Sequence, residues 1–387
     1  MSQRKPTRAL LLSGGGARAS YQVGALRHIC EISREGDGRI PFEILVGVSA
    51  GAINLAALAS SAQDFVAAVR IMREKWENIA TRHVFDARAS SIGANAFRWF
   101  LDLALGGAVQ TQEPRAKALV DTAPLRELIR GLLNVEAIEK NVSSGLIEAL
   151  AVSATDYRTG THTVFVQSQG QRTIWKRYSR IARYDKIKPE HILASCAIPI
   201  LFPSVRIGDS YFGDGSIRNM APLSPAVHLG ARKILAIGVR ELLTRSTEPE
   251  ASATAYPSPA RISGVLLDSI FLDALEIDRE QMMRINRLLE HLPEAVSDEH
   301  GVRMQTIDFL YLGPSKNFAD IAWRHRSEIP RSIRYMLQGL GANTASGGEF
   351  LSYLLFEQGY CRELLELGYA DARARSDEIR DFLWSTR

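Results

Sequence analysis

Two short apolar runs, TRALLLS at 7–13 and FEILVGVS at 42–49, constrain the fold most. Each is stopped at or beside glycine, the pattern of a strand buried on both faces of a parallel sheet. Between them, residues 19–33 place Val23, Leu26 and Cys30 on one helical face, and EGDGRIP then supplies chain breakers. The unit is β-α-β. Such a crossover makes the strands parallel, so the loops that follow the two strands leave the sheet at the same edge. That places SGGGAR at 13–18 beside Ser49.

The rest of the chain extends an α/β pattern. Residues 50–80 read as one long helical stretch, and 84–120 mix apolar, glycine and basic residues as a lid or cavity lining would. In DTAPLRELIRGLL, Asp121 or Thr122 caps a helix with Pro124 in its first turn. Two strands flank a turn at DYRTG, a short helix in KPEHILASCAIP stops at Pro199, SVRIGDSYFGDGS is a hairpin turning at GDS, and ARKILAIGVR is another buried strand. Residues 241–263 carry the Pro-, Ser- and Ala-rich composition of a surface linker. Beyond them Leu267, Phe271, Leu275, Met282, Ile285, Leu289 and Leu292 form one helical stripe, and the tail is helical in pattern. The expected organisation is an α/β unit over 1–240, a linker over 241–263 and a helical region over 264–387 packed on the first unit.

Composition narrows the function. The 387 residues are 46% hydrophobic and 23% charged, enough to bury a large core, and the net charge of +4 is too mild to imply nucleic acid. Cys30, Cys196 and Cys361 are too scattered for a disulfide framework or a metal site, so neither metal nor cofactor is expected. The N-terminal residues lack the apolar stretch of a secretory signal, and no window approaches the length of a spanning helix. A cytoplasmic or peripheral-membrane protein is expected.

GVSAG at 47–51 stands where an apolar strand gives way to a helix, the setting of a nucleophile elbow, with Gly47 and Gly51 letting the chain turn tightly around Ser49. The plainer reading is a helix-capping serine. None of the eight histidines lies in a loop motif of catalytic type; His228, next in chain order for a Ser-Asp-His triad, falls on a helix. Asp214, flanked by Gly213 and Gly215 at a strand end, is the better base, its alternative being a turn aspartate in solvent. The N–H groups of Gly14, Gly15, Gly16 and Ala17 lie near a helix start and offer an anion site, which Arg18 shapes or reinforces unless it pairs at the surface. The anion is either a transient oxyanion or a nucleotide phosphate. A dinucleotide loop would want glycine at Ala19 and an acid at the end of the second strand, and the chain has neither.

SGGGAR at 13–18, GVSAGA at 47–52, and ASCAIPILFP leading to YFGDGS at 194–216 together resemble the patatin-like phospholipase family, in order and spacing over roughly 7–240. The resemblance implies a three-layer α/β/α sandwich with a mostly parallel sheet, and a patatin-like catalytic unit over 1–240. It implies a serine acyl hydrolase of lipid esters, of phospholipase A or lysophospholipase type, whose partner is a lipid substrate. It further implies Ser49 as nucleophile, Asp214 as base without histidine, and the 14–16 loop with Arg18 as oxyanion site. Two positions depart from the family pattern: Ala19 and Ser216 stand where glycine, and glycine or alanine, are usual.

Overall fold

The computed structural model describes residues 7–36, 38–105, 117–170, 175–241, 256–291, 304–341 and 347–385. The strands are β1 (Arg8–Leu12), β2 (Ile44–Val48), β3 (Ala149–Asp156), β4 (Thr161–Ser168), β5 (Lys176–Arg177), β6 (Arg180–Tyr184), β7 (Val205–Ile207), β8 (Ser210–Asp214), β9 (Lys233–Ile237) and β10 (Asp308–Leu312). They form one sheet in the order β10-β9-β1-β2-β3-β4-β6-β5, with the β7-β8 hairpin paired on β3. The strands from β10 to β3 are all parallel, while β4 and β8 both run antiparallel to β3.

Alternation along the strands explains the layers. Leu10, Leu12, Leu45, Leu235 and Ile237 face one apolar cluster, and Ala9, Leu11, Ile44, Val46, Ile234 and Ala236 face another. Successive side chains point to opposite sides, so a strand apolar at every position is stable only with both sheet faces covered. Helices Ser20–Ser33, Ala50–Ser60 and Gln358–Ala374 contribute to the first cluster, and helices Ser224–His228 and Ala274–Leu289 to the second. This is the three-layer α/β/α sandwich. β1 lies between β2 and β9, so crossovers leave it in both directions and a crevice opens beyond its carboxyl end.

Several details differ from the pattern reading. The helical stretch 50–80 breaks into Ala50–Ser60 and Phe65–Glu77, because Asp64 accepts a hydrogen bond from Ala67 N at 2.8 Å and starts a new helix. The region beyond 264 is not wholly helical: Asp308–Leu312 pairs with β9 as a further parallel strand. A helix already begins at Pro259, capped by Ser258, inside the expected linker; residues 242–255 of that linker, and Leu292 of the apolar stripe, lie outside the described residues. The stripe is interrupted by a π turn at Ser269–Asp273, and it buries Phe271, Leu275 and Met282 but leaves Ile285 at the surface. Of 84–120, residues 89–105 form a helix with Phe97 and Phe100 exposed, and 106–116 lie outside the described residues. No helix of the described residues is long and apolar enough to cross a membrane.

Candidate active site

β2 ends at Val48, the next helix starts at Ala50, and the turn between them is one residue, Ser49. Its backbone stands at φ 54°, ψ −132°, a conformation that costs an L residue on the order of 1–3 kcal/mol and persists only where the surroundings enforce it. Those surroundings are tight. A side chain at Gly51 would put its Cβ 2.4 Å from Leu12 O, and one at Gly47 would sit 2.8 Å from Ala52 Cα. The elbow therefore packs directly on the end of β1. Ser49 N donates to Ser195 Oγ at 2.8 Å, a contact that pins the turn from the helix Pro189–Ser195. Nothing near Ser49 in sequence signals Ser195.

The glycine loop meets the elbow from the other side. A Cβ on Gly14 would lie 3.1 Å from Ser49 Cβ and 2.8 Å from Ser216 Oγ, so only glycine allows this approach. After Gly15 the chain enters a 3-10 turn, Gly16–Ala19, whose first internal bond is Arg18 N to Gly15 O at 3.2 Å. The N–H groups of Gly16 and Ala17 precede that first bond at the head of the turn. Gly16 and Ser49 line the same cavity. Ala19 is fully buried at the junction with the helix Ser20–Ser33, where its methyl group is accommodated in the main core.

Arg18 does not reach toward this cavity. Its side chain is 3% exposed and donates to Ser352 Oγ at 2.8 Å, to Glu349 Oε2 at 2.8 Å and to Tyr353 Oη at 3.2 Å, with Asp268 Oδ1 at 3.5 Å. The guanidinium also lies 3.8 Å above the Tyr353 ring. Of the roles open to it in the sequence, the geometry favours shaping the loop.

Asp214 ends β8 and is fully buried. Oδ1 accepts from Ser216 N at 2.8 Å, and Thr155 Oγ1 holds the Asp214 carbonyl at 2.8 Å. Gly215 packs on Ser153 O of β3, which fixes the strand end that carries the carboxylate. Burial raises the Asp214 carboxyl to about 6, opposed by hydrogen bonding from Ser49, then Ser216. Oδ2 nonetheless meets no donor in full hydrogen-bond geometry. Ser49 is the first of the groups that favour the ionised carboxylate over the protonated form.

The cavity in front of Ser49 is apolar. Ile53, Trp76, Leu125, Ile198, Phe202 and Phe356 line it together with Gly16 and Ser49, and the exposed Lys75 stands at its rim. Such walls suit an acyl chain. His228 belongs to the opposite layer, stacked on Trp175 at 5.0 Å, so the structure does not bring it to Ser49. Among the described residues no group of three or more His, Cys, Asp or Glu is placed to hold a metal ion.

A family model described as patatin-like phospholipase matches residues 10–227, more than half of the chain. The chain belongs to the patatin-like phospholipase family. The matched residues carry the glycine loop, the elbow and the Asp214 turn in one continuous span, and the family is one of lipid hydrolases. No curated protein sequence matches the chain significantly. Distant likenesses to solved structures include VipD from Legionella pneumophila, at 14% identity over 94% of this chain and 67% of that one, with a TM-score of 0.30. ExoU in complex with SpcU, from the type III secretion system of Pseudomonas aeruginosa, is 14% identical over 90% of this chain and 70% of that one, with a TM-score of 0.29. A second structure, of type III effector protein ExoU, is 13% identical over 94% of this chain and 53% of that one, with a TM-score of 0.31.

If Asp214 acts as a base, its ionised form is the active one. Activity on a soluble nitrophenyl ester should then hold level in mild alkali, reach half its plateau at about pH 6 and fall about tenfold per unit below that, as a kcat/KM profile would record. The stability effect has the opposite sense. A carboxyl whose folded pKa is raised binds its proton more tightly in the fold, so its contribution is full below the unfolded value of 3.8 and is lost as pH rises through about 6. Asp214→Asn should therefore be more stable than the parent at neutral pH, by roughly 3 kcal/mol at most, in urea titrations.

Proposed function

We propose that the protein is a serine acyl hydrolase of lipid esters, working through Ser49 and Asp214 without histidine. The observation that carries the reading is Ser49 held at positive φ on a one-residue elbow, at the end of an apolar cavity it shares with Gly16. In this reading the acyl chain lies among Ile53, Trp76, Leu125 and Phe202 and brings its carbonyl to Ser49 Oγ. Asp214 takes the hydroxyl proton as Oγ attacks, and the N–H groups of Gly16 and Ala17, at the head of the short helix, take up the charge on the carbonyl oxygen. Gly14 keeps the loop close enough to do this, and Gly15 provides the acceptor that closes its first turn. The alcohol then leaves with the proton, and water releases the fatty acid.

The burial of Asp214 supports the pairing, because a carboxylate near its usual value would be a poor base for a hydroxyl. An acyl ester of phospholipid or lysophospholipid type is the substrate we assign, presented at a membrane surface. A panel of phosphatidyl and lysophosphatidyl lipids and nitrophenyl esters tests this. Hydrolysis of acyl esters with release of free fatty acid is expected, and inactivity toward every acyl ester would overturn it.

The cavity walls predict chain-length selection. Leu125→Trp fills the acyl cavity and should lower kcat/KM for a C16 ester relative to a C4 ester by roughly tenfold or more, since one methylene in a hydrophobic pocket is worth about 1–3 kcal/mol. Parallel kinetics on the two esters measure the ratio. An unchanged ratio would place the acyl chain elsewhere.

A further inference from the structure

A second cavity lies behind the loop. The ends of β1 and β2 form one wall, Ser153 of β3, Ser216 and Asn219 form another, and Ile270 and Phe271 of the π turn close it. Three side chains that line it carry buried polar atoms with no hydrogen-bond partner: Ser13 Oγ, Ser216 Oγ and Asn219 Oδ1. Their residues are 6%, 6% and 7% exposed. Leaving three such atoms unpaired in one place is costly, and native interiors avoid this by sharing a buried water with about three partners. Apolar neighbours such as Leu11, Val46 and Leu275 exclude anything more polar or larger from the rest of the space.

The position matters as much as the lining. Gly14 separates this cavity from the elbow: the place of its missing Cβ is 2.8 Å from Ser216 Oγ, 3.1 Å from Ser49 Cβ and 2.8 Å from Phe271 Cδ1. The backbone N–H of Ser216, which does not depend on its side chain, anchors Asp214 Oδ1, and Asp214 Oδ2 is a further buried atom without a partner. Ser49 and Gly16 line the acyl cavity, and Gly14 of the same loop lines the polar one, against the elbow.

We propose that the polar cavity holds the water that hydrolyses the acyl-enzyme, with Ser13, Ser216 and Asn219 as its positioning residues. The proposal rests on the Ser49-Asp214 reading and adds the source of the second nucleophile. Once the alcohol has left, the water oxygen adds to the acyl carbonyl carbon and its proton passes to Asp214 Oδ2. The tetrahedral adduct then breaks its bond to Ser49 Oγ, which recovers the proton from Asp214, and the carboxylic acid departs. Ser216 Oγ gives the water one more hydrogen bond.

The test is pre-steady-state turnover of a nitrophenyl fatty ester by the full chain, with acid quench and intact-protein mass measurement. In Ser216→Ala and Asn219→Leu, acylation should proceed as in the parent while deacylation slows, about threefold to tenfold for the first and tenfold or more for the second. An initial burst of nitrophenolate, an acyl adduct on the protein, and kcat and KM falling together with kcat/KM kept is the expected signature. Ser216→Thr keeps a hydroxyl and should recover most of the rate. If the adduct forms on Ser49 but its lifetime is unchanged in both variants, or if kcat/KM falls with kcat and no adduct builds up, the water site is wrong and the dyad stands. If no protein forms an adduct on Ser49 while ester is still consumed, the dyad reading itself fails.

Discussion

Ser49→Ala should lower hydrolysis of any ester substrate by at least about 10³-fold, because the covalent step has no other hydroxyl on the elbow to carry it. The protein should stay folded, since Ser49 is buried and its backbone N–H, not its hydroxyl, makes the contact to Ser195. Ser49→Gly separates function from strain. Glycine adopts φ 54° without penalty, so this variant should be as inactive as the alanine form yet resist urea better than it, by about 1 kcal/mol or more. Initial rates with a nitrophenyl ester and paired denaturation curves measure both effects. Retained turnover in purified Ser49→Ala would remove the nucleophile. A glycine variant less stable than the alanine one would mean that the elbow is not strained.

Arg18→Met should destabilise the protein by roughly 3 kcal/mol, the lower end of what removing a buried charge from its pairs costs, because the carboxylates it leaves are only half-buried. Asp268 and Glu349 would both lose the guanidinium, at side-chain exposures of 15% and 21%. The loss should reach the active site, because Arg18 is two residues beyond Gly16 and ties the glycine loop to the helix Gly348–Leu354. Gly16 itself leaves no room for a Cβ, which would lie 2.2 Å from Tyr353 O. Lysine cannot reproduce the forked contacts to Ser352, Tyr353 and Glu349, so Arg18→Lys should fall between the parent and the methionine variant. Urea denaturation with parallel esterase kinetics gives the comparison, and an Arg18→Met protein within 1 kcal/mol of the parent would contradict it.

How much of this was legible in the sequence depends on the range over which each feature is specified. The β1-loop-helix-β2 unit is written locally: apolar runs, glycine punctuation and helical spacing fall within about 45 residues, and right-handed crossover does the rest. The Asp214 turn was visible for the same reason, as glycines flanking an acid at a strand end. Its burial was not, because the β8 carboxyl end is enclosed by β3 and by Ser216, partners that only the folded sheet assembles. β10 was missed because DFLYL is as compatible with a buried helix as with a strand, and its partner β9 is about 75 residues earlier.

Arg18 shows the limit most clearly. Its charge and place in SGGGAR suggested an anion, and nothing nearby announced Ser352 or Tyr353, more than 330 residues away. The break at Asp64, by contrast, carried a signal that periodicity alone passed over: an acid placed to cap the next helix. The π turn at Ser269–Asp273 has no pattern of its own, and it shifts which residues of the following helix meet the core.

The central claim is that Ser49 is the nucleophile, and fluorophosphonate labelling tests it most directly. The reagent should attach once, and tryptic mapping should place it in the peptide 40–70 on Ser49, with labelling abolished in Ser49→Ala and strongly slowed in Asp214→Asn. No adduct on the parent protein, or an adduct at another residue that survives Ser49→Ala, would contradict the account.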